Sequence, residues 1–340
     1  MRVMEIRDAW GLENLRPGER PEPVPGAGEV VVRIEAASVN YRDFVMAGRG
    51  YGRRSGELPL IPVSDGAGTV VATGPGVTRV AVGDRVCPGF AQTWIDGPLR
   101  EDHWTGMLGG PRDGVLQEFM LLNENGVVKV PSHLDAIQAA ALPCAALTAW
   151  NAIVVVGRVK PGSIVLTQGT GGVSLFALQF AKLLGARVII TSSSNDKLAR
   201  AKALGADETI NYVDVPDWGR RAREIAGRDG VDLVVELAGL VNQSVRTVRT
   251  SGTVVLIGVL AGGRTEFDLG PVVTREIRLR GISVGSRTMF EDMMRAIDLH
   301  RLVPTVELAA QRFDGAAEVI RALTKGNHFG KICMRAWGAA

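Results

Sequence analysis

The chain has 340 residues, 46% hydrophobic and 22% charged, enough apolar material for a sizeable core and more length than one average domain needs. A net charge of only +3 argues against nucleic acid or a membrane surface as partner. Three cysteines spread far apart, Cys87, Cys144 and Cys333, exclude a disulfide framework and point to reduced thiols. Glu5 and Asp8 stand where a signal peptide would need an apolar core, and no apolar run is long enough to span a bilayer. A soluble cytoplasmic protein is expected.

The first third reads as β-rich. Residues 29–36 form a β-branched run behind Pro25-Gly26-Ala27-Gly28, and residues 66–72 form a second, closed by Gly74-Pro75-Gly76. Short strands bounded by glycine and proline suggest a small barrel. From Phe90 to Gly114 periodicity is lost, which predicts a long irregular excursion with His103 as an exposed loop residue. From Leu134 to about Val156 the apolar spacing turns helical, with a kink or break at Pro143.

The apolar run Ile164-Val165-Leu166 then enters the glycine-rich turn Gly169-Thr170-Gly171-Gly172-Val173-Ser174, after which Val173, Phe176, Ala177, Phe180 and Leu184 recur at helical spacing. Strand, glycine turn and helix in that order form a phosphate-binding context: unpaired N–H groups and a positive dipole end face an anion. Ser174 replaces the third small residue of the dinucleotide fingerprint. Further strands at 188–191, 209–210, 233–236, 253–257 and 279–284 alternate with helices, among them 196–204 and 218–226. With the strand at Ile164 that makes six, the number of a doubly wound α/β dinucleotide fold. Helices near 293–299 and 316–323 and a strand at 331–334 close the chain.

In such a fold the residue ending the second strand selects the cofactor, an acid binding the ribose hydroxyl and repelling a 2′-phosphate. Here Ser192, Ser193, Ser194, Asn195, Asp196 and Lys197 stand in that region. Hydroxyls and a lysine in place of the carboxylate predict NADPH. Ser194 or Asp196 is also a candidate helix cap.

Taken together, Ser38-Val39-Asn40-Tyr41-Arg42-Asp43, Ile61-Pro62-Val63-Ser64-Asp65-Gly66-Ala67-Gly68, Gly83-Asp84-Arg85-Val86, Leu147-Thr148-Ala149-Trp150, the glycine turn and Phe329-Gly330-Lys331 resemble the medium-chain dehydrogenase/reductase superfamily. The resemblance implies a six-stranded parallel Rossmann domain over 146–284 and a β-rich GroES-like catalytic barrel over 1–145 and 285–340. In the superfamily's zinc enzymes a Cys-His pair falls at Asn40-Tyr41, a His-Glu pair at Ser64-Asp65 and a cysteine at Cys144. Only the last survives here, which leaves too few ligands for catalytic zinc, and the cysteine cluster of a structural-zinc lobe is absent from 90–114. No metal is expected.

The Asn-x-x-Asp form resembles the zinc-independent quinone oxidoreductase branch, and with it Asn40, Tyr51 and Arg42 are candidate catalytic residues. Without a Lewis acid an unactivated alcohol is hard to oxidise, whereas an enone or quinone accepting hydride needs only hydrogen-bond donors at its developing oxyanion. Asn40 would donate through its amide, Tyr51 would donate and deliver a proton, and Arg42 would supply charge. By the same resemblance Thr148, Tyr212, Gly258, Val259 and Lys331 belong to the cofactor site, with Ser286 and Arg287 as further phosphate contacts. The expected activity is NADPH-dependent reduction of a quinone, enone or other activated double bond. The alternatives are an NAD(P)-dependent alcohol dehydrogenase or carbonyl reductase and a non-catalytic, crystallin-like NADPH-binding protein. Tyr51, Phe90, Trp94, Trp104 and Phe290 suggest an aromatic-accepting cleft. The resemblance also implies a homodimer through the sheet edge around Ile282.

Overall fold

A computed structural model describes residues 1–227, 229–260 and 262–338. Its strands are β1 (Arg2–Ile6), β2 (Leu15–Glu19), β3 (Glu29–Ser38), β4 (Asp65–Thr73), β5 (Arg85–Pro88), β6 (Phe119–Asn123), β7 (Val127–Lys129), β8 (Ile164–Gln168), β9 (Arg187–Ser192), β10 (Glu208–Asn211), β11 (Val231–Glu236), β12 (Val248–Leu256), β13 (Arg278–Gly281), β14 (Val306–Leu308) and β15 (Lys331–Arg335). They fall into two compact units, Met1–Leu147 with Gly285–Ala340, and Thr148–Val284.

In the first unit a seven-stranded sheet runs β14-β15-β3-β4-β5-β7, with β6 also on β3, beside the two-stranded β1-β2. Val30, Val32 and Ile34 of β3 enter the core with Val70, Val86, Met120 and Leu122, while Arg33 points out. The β3–β4 register shifts twice, between Val31 and Val32 and between Ile34 and Ala36, and such bulges curl a sheet. Register also sets what meets at the end of β3. Ser38 pairs with Asp65 on one side and with Cys333 on the other. Running both antiparallel ladders on past Ser38 brings Ser64 beside Val39 and Lys331 beside Asn40.

The excursion between β5 and β6 is mostly irregular, as expected, with one 3₁₀ stretch at Glu101–Gly106. Its histidine departs from expectation. His103 is buried against Trp94, ring centroids 5.9 Å apart, and its Nδ1 accepts from the Arg100 N–H at 3.1 Å. An imidazole paired on one edge and stacked on an indole gains more from burial than from a loop surface.

The second unit is a six-stranded parallel sheet in the order β10-β9-β8-β11-β12-β13, the doubly wound arrangement. Strand order reverses between β8 and β11, where such folds form their ligand crevice. Leu166, Ile189, Val234 and Val254 pack with Trp218, Ala222, Val241 and Val245 from two helices. Phe176 and Phe180 of the helix Gly172–Leu183 stack at 6.1 Å, with Trp150 edge-on to Phe180. Two details differ from the sequence reading. β13 stops at Gly281, and Pro143 sits at the start of a π-helical turn, Leu142–Ala146, where its missing N–H is not needed. Among the described residues no helix is long and apolar enough to cross a membrane.

Gly258, just past β12, packs so tightly that a β-carbon there would land on the Leu237 carbonyl oxygen, whereas one at Gly281 would meet nothing. Gly258→Ala is therefore expected to lower stability by about 1–3 kcal/mol, and Gly281→Ala to leave it within error. Thermal unfolding of the two variants side by side checks this.

Candidate active site

Three strand ends assemble a buried polar cluster in the first unit. Asn40 follows β3 and opens the helix Tyr41–Ala47, Ser64 immediately precedes β4, Asp65 begins it, and Lys331 begins β15. The Lys331 ammonium, 3% exposed, donates to the Val39 carbonyl and to Asn40 Oδ1, both at 2.6 Å. Asp65 Oδ2 lies 3.8 Å from it and accepts from the Cys144 N–H at 3.1 Å, while Oδ1 accepts from the Ser64 hydroxyl at 2.7 Å. Asn40 Nδ2 stands 3.5 Å from Ser64 Oγ. Burial, with Asp65 alongside, pushes the Cys144 thiol up, so it stays protonated at neutral pH.

Asp43 completes the cluster. It is fully buried; Oδ2 accepts from the Asn40 N–H at 2.7 Å, and Oδ1 has no hydrogen-bond partner, the Arg42 guanidinium being 3.8 Å away. Desolvation pushes its carboxyl up to about 6, against the pull of Arg42. Behind Ser64, Val63 has a left-handed backbone at φ 69, a conformation that costs a β-branched residue about 1–3 kcal/mol. Val115 N–H bonds the Val63 carbonyl at 2.8 Å, and β-carbons at Gly109 or Gly114 would strike the Val63 backbone. The strained turn is thus clamped by the 108–115 loop.

The three candidate catalytic residues are placed differently. Asn40 is half-buried with its amide in the cluster. Tyr51 is 41% exposed, and its electrostatic neighbours are Arg42, Cys144, Asp43 and Tyr41. Partial burial raises its phenol, which therefore remains a donor at neutral pH. Arg42 is committed elsewhere: it donates to the Leu108 and Gly110 carbonyls at 2.9 and 3.2 Å and lies over the Phe90 ring. It holds the loop that clamps Val63. Phe90, Trp94 and Phe290 are buried. Exposed aromatics on the chain after Asn40 are Tyr41 and Phe44, centroids 6.1 Å apart, and Tyr51.

In the second unit Gly169 has φ 77, its N–H bonds the Thr191 carbonyl at 2.8 Å, and Gly171 begins the helix Gly172–Leu183 with no side-chain cap. Thr170 is buried, Gly172 and Val173 partly so. Only glycine takes the Gly169 turn without strain, and the uncapped helix start leaves N–H groups for an anion. The Ser174 hydroxyl donates to the Gln168 carbonyl at 2.5 Å, so the departure from the fingerprint serves as a helix-to-strand tie. At the end of β9, Ser192 is buried with Oγ accepting from the Ser194 N–H at 3.3 Å, Ser193 is exposed, and Ser194 caps the next helix. Lys197 is half-buried and Tyr212 is 41% exposed. Thr148 is buried, Gly258 half-buried and Val259 exposed.

Three expected cofactor contacts in the first unit point elsewhere. Ser286 is fully buried as the cap of the helix Arg287–His300, Arg287 bonds Asn125 Oδ1 at 2.7 Å, and Lys331 turns into the cluster. The sequence reading missed another network. Glu236, fully buried at the end of β11, accepts from the Gln168 amide at 2.7 Å, from the Ser244 hydroxyl and from the N–H groups of Ala238, Gly239 and Leu240. An acid closing an apolar strand was the available signal. The network fixes the loop after β11 at the switch point.

Residues 26–132 match the model of the alcohol dehydrogenase GroES-like domain, and residues 172–298 that of the zinc-binding dehydrogenases. A zinc-type alcohol dehydrogenase-like protein of Schizosaccharomyces pombe is 38% identical over 334 residues, 96% of each chain. The chain belongs to the medium-chain dehydrogenase/reductase superfamily. A solved structure from Sinorhizobium meliloti 1021, assigned provisionally to the alcohol dehydrogenases, is 40% identical over 98% of each chain with TM-score 0.90. An NAD-dependent alcohol dehydrogenase is 34% identical over 99% of this chain and all of that one, TM-score 0.89. A mycobacterial protein complexed with NADPH is 27% identical over 98% of this chain and 99% of that one, TM-score 0.81. The chain is accordingly an alcohol dehydrogenase-like oxidoreductase with a GroES-like and a Rossmann domain, from a family that uses a nicotinamide cofactor.

The zinc in the family model's name does not fit these donors. Asn40 Oδ1 is taken by an ammonium, the Ser64 hydroxyl donates to Asp65, and of the donor positions only Cys144 keeps a preferred zinc ligand. Among the described residues no group of three His, Cys, Asp or Glu side chains is arranged to hold a metal.

Asp43 gives a pH prediction. Its folded value, about 6, lies above the ordinary 3.8, so the folded state binds its proton more tightly than the unfolded chain does. Its contribution to stability is complete below pH 4 and is lost as pH rises through 6. Wild type should gain on the order of 2–3 kcal/mol relative to Asp43→Asn between pH 7.5 and pH 4. Paired denaturant titrations across that range measure it, and a constant difference contradicts it.

Proposed function

We propose that this chain is a metal-free, NADPH-dependent reductase of an activated double bond, in a quinone, an enone or a reactive conjugated carbonyl. The observation that carries the reading is the Lys331 ammonium 2.6 Å from Asn40 Oδ1, a lysine charge among the positions where zinc relatives place their ligands. When bound, the nicotinamide supplies the hydride. Everything else falls to the chain's own groups. Negative charge developing on the substrate oxygen needs pre-aimed donors; Asn40 Nδ2 and the protonated Tyr51 phenol, electrostatically coupled to Asp43 and Cys144, are the ones this reading uses. Tyr51 is also the proton donor, and Tyr41, Phe44 and Tyr51 supply apolar surface for a conjugated substrate.

For the cofactor, support comes from the chain at the end of β9, where Ser192 and exposed Ser193 take the place of the selecting acid and Asp196 and Lys197 follow in the next helix. Gly169, Thr170, Gly171, Gly172 and Val173 would hold the pyrophosphate, and Thr148, Tyr212, Gly258 and Val259 would flank the rest. A second reading, dehydrogenation of an activated alcohol, is favoured by the similarity to the NAD-dependent alcohol dehydrogenase. The exposed edge strand β13, paired only with β12 among the described residues, suits a homodimer formed by strand pairing.

Purified protein should oxidise NADPH with a quinone and an enone panel, faster than NADH, and give little NADP reduction with simple alcohols. Asn40→Ala and Tyr51→Phe should each lower kcat roughly 10²-fold with NADPH affinity intact. Turnover of alcohols with NAD and none of enones would select the second reading.

A further inference from the structure

Lys331 is itself 3% exposed, and its two short hydrogen bonds go to Val39 O and to Asn40 Oδ1. An ammonium has three donors and no acceptor, so the Asn40 atom at 2.6 Å has to be the carbonyl oxygen. The reverse orientation would set donor against donor. This fixes the other end of the amide as Nδ2, which lies 3.5 Å from a hydroxyl whose own proton already goes to Asp65. At most one of the two Nδ2 protons is engaged there, and Asn40 is only half-buried. The second N–H has no hydrogen-bond partner among the described residues.

The charge at the back of the amide also strengthens the donor at its front. A cation bonded to an amide oxygen draws density from the nitrogen, and the effect persists because water is largely absent around Lys331. The lysine charge is itself balanced by Asp65 at 3.8 Å and held by the Val39 carbonyl. Nothing in this chain of contacts requires a cofactor phosphate near Lys331.

We propose that Lys331 is a positioning residue for the oxyanion donor: it locks the Asn40 amide with Nδ2 outward and polarises that N–H toward the substrate oxygen. The inference rests on the reductase reading, in which Asn40 touches the substrate, and the test separates the two. In a double-mutant cycle with a quinone or enone substrate and NADPH, Asn40→Ala and Lys331→Met should each reduce kcat about tenfold to hundredfold. The double variant should be no worse than the poorer single. KM for the substrate should move less than kcat, and NADPH affinity by fluorescence titration should be unchanged. If Lys331→Met does not fold, Asp65→Asn/Lys331→Met removes the buried pair together and takes its place in the cycle, with Asp65→Asn as its reference.

A wild-type kcat for Asn40→Ala would overturn the reading of Asn40 and the inference with it. A large loss for Asn40→Ala with losses that multiply in the double variant would overturn the role of Lys331 alone. Weakened NADPH binding in Lys331→Met would do the same, by showing a cofactor contact instead.

Discussion

The buried ammonium of Lys331, held by the Val39 carbonyl, Asn40 Oδ1 and the nearby Asp65 carboxylate, is the constraint around which the first unit is built. An unpaired charge at that depth would cost several kcal/mol, so the three strands must deliver their ends in register. The two bulges between β3 and β4 and the pairing of Cys333 with Ser38 achieve this. Asp43 beside Arg42 forms a looser second pair. Arg42 in turn holds the Leu108 and Gly110 carbonyls, and through them the loop that keeps Val63 in its strained turn.

A family named for zinc here presents a different set of groups at the same strand ends. Zinc would place a divalent charge among nitrogen, sulfur and carboxylate donors. This chain places one ammonium behind an amide, a hydroxyl bonded to a carboxylate and a protonated thiol. The difference changes which chemistry is easy. Hydrogen-bond donors suffice for an oxygen whose charge is spread over a conjugated system, while a localised alkoxide asks for more.

Much of the second unit was legible because its determinants are local. Gly169 at positive φ, the apolar run before it and the helical spacing after it lie within a few residues, and the six strands follow from alternating patterns. The site in the first unit was legible only in part. Asn40 belongs to the cluster, but its bond to Lys331 spans 291 residues and depends on strand register, which residue types do not encode. Arg42 shows the same limit, since a charged residue beside a catalytic one reads alike whether it faces a substrate or a loop carbonyl. His103, Phe90 and Trp94 lie in an irregular segment with no period from which to tell an inner face from an outer one, while Phe290 sits on the buried face of the helix Arg287–His300. Ser286 was taken for a phosphate contact because a helix cap and an anion ligand use the same hydroxyl.

The central proposal is that a lysine charge, without a metal, organises this candidate active site. Elemental analysis of untagged protein active with a quinone or enone and NADPH, repeated after exhaustive chelation, tests it most directly. The account predicts far less than one zinc per chain and a kcat that chelation and added zinc leave unchanged. One tightly held zinc per chain, with activity lost on chelation and restored by the metal, would contradict it.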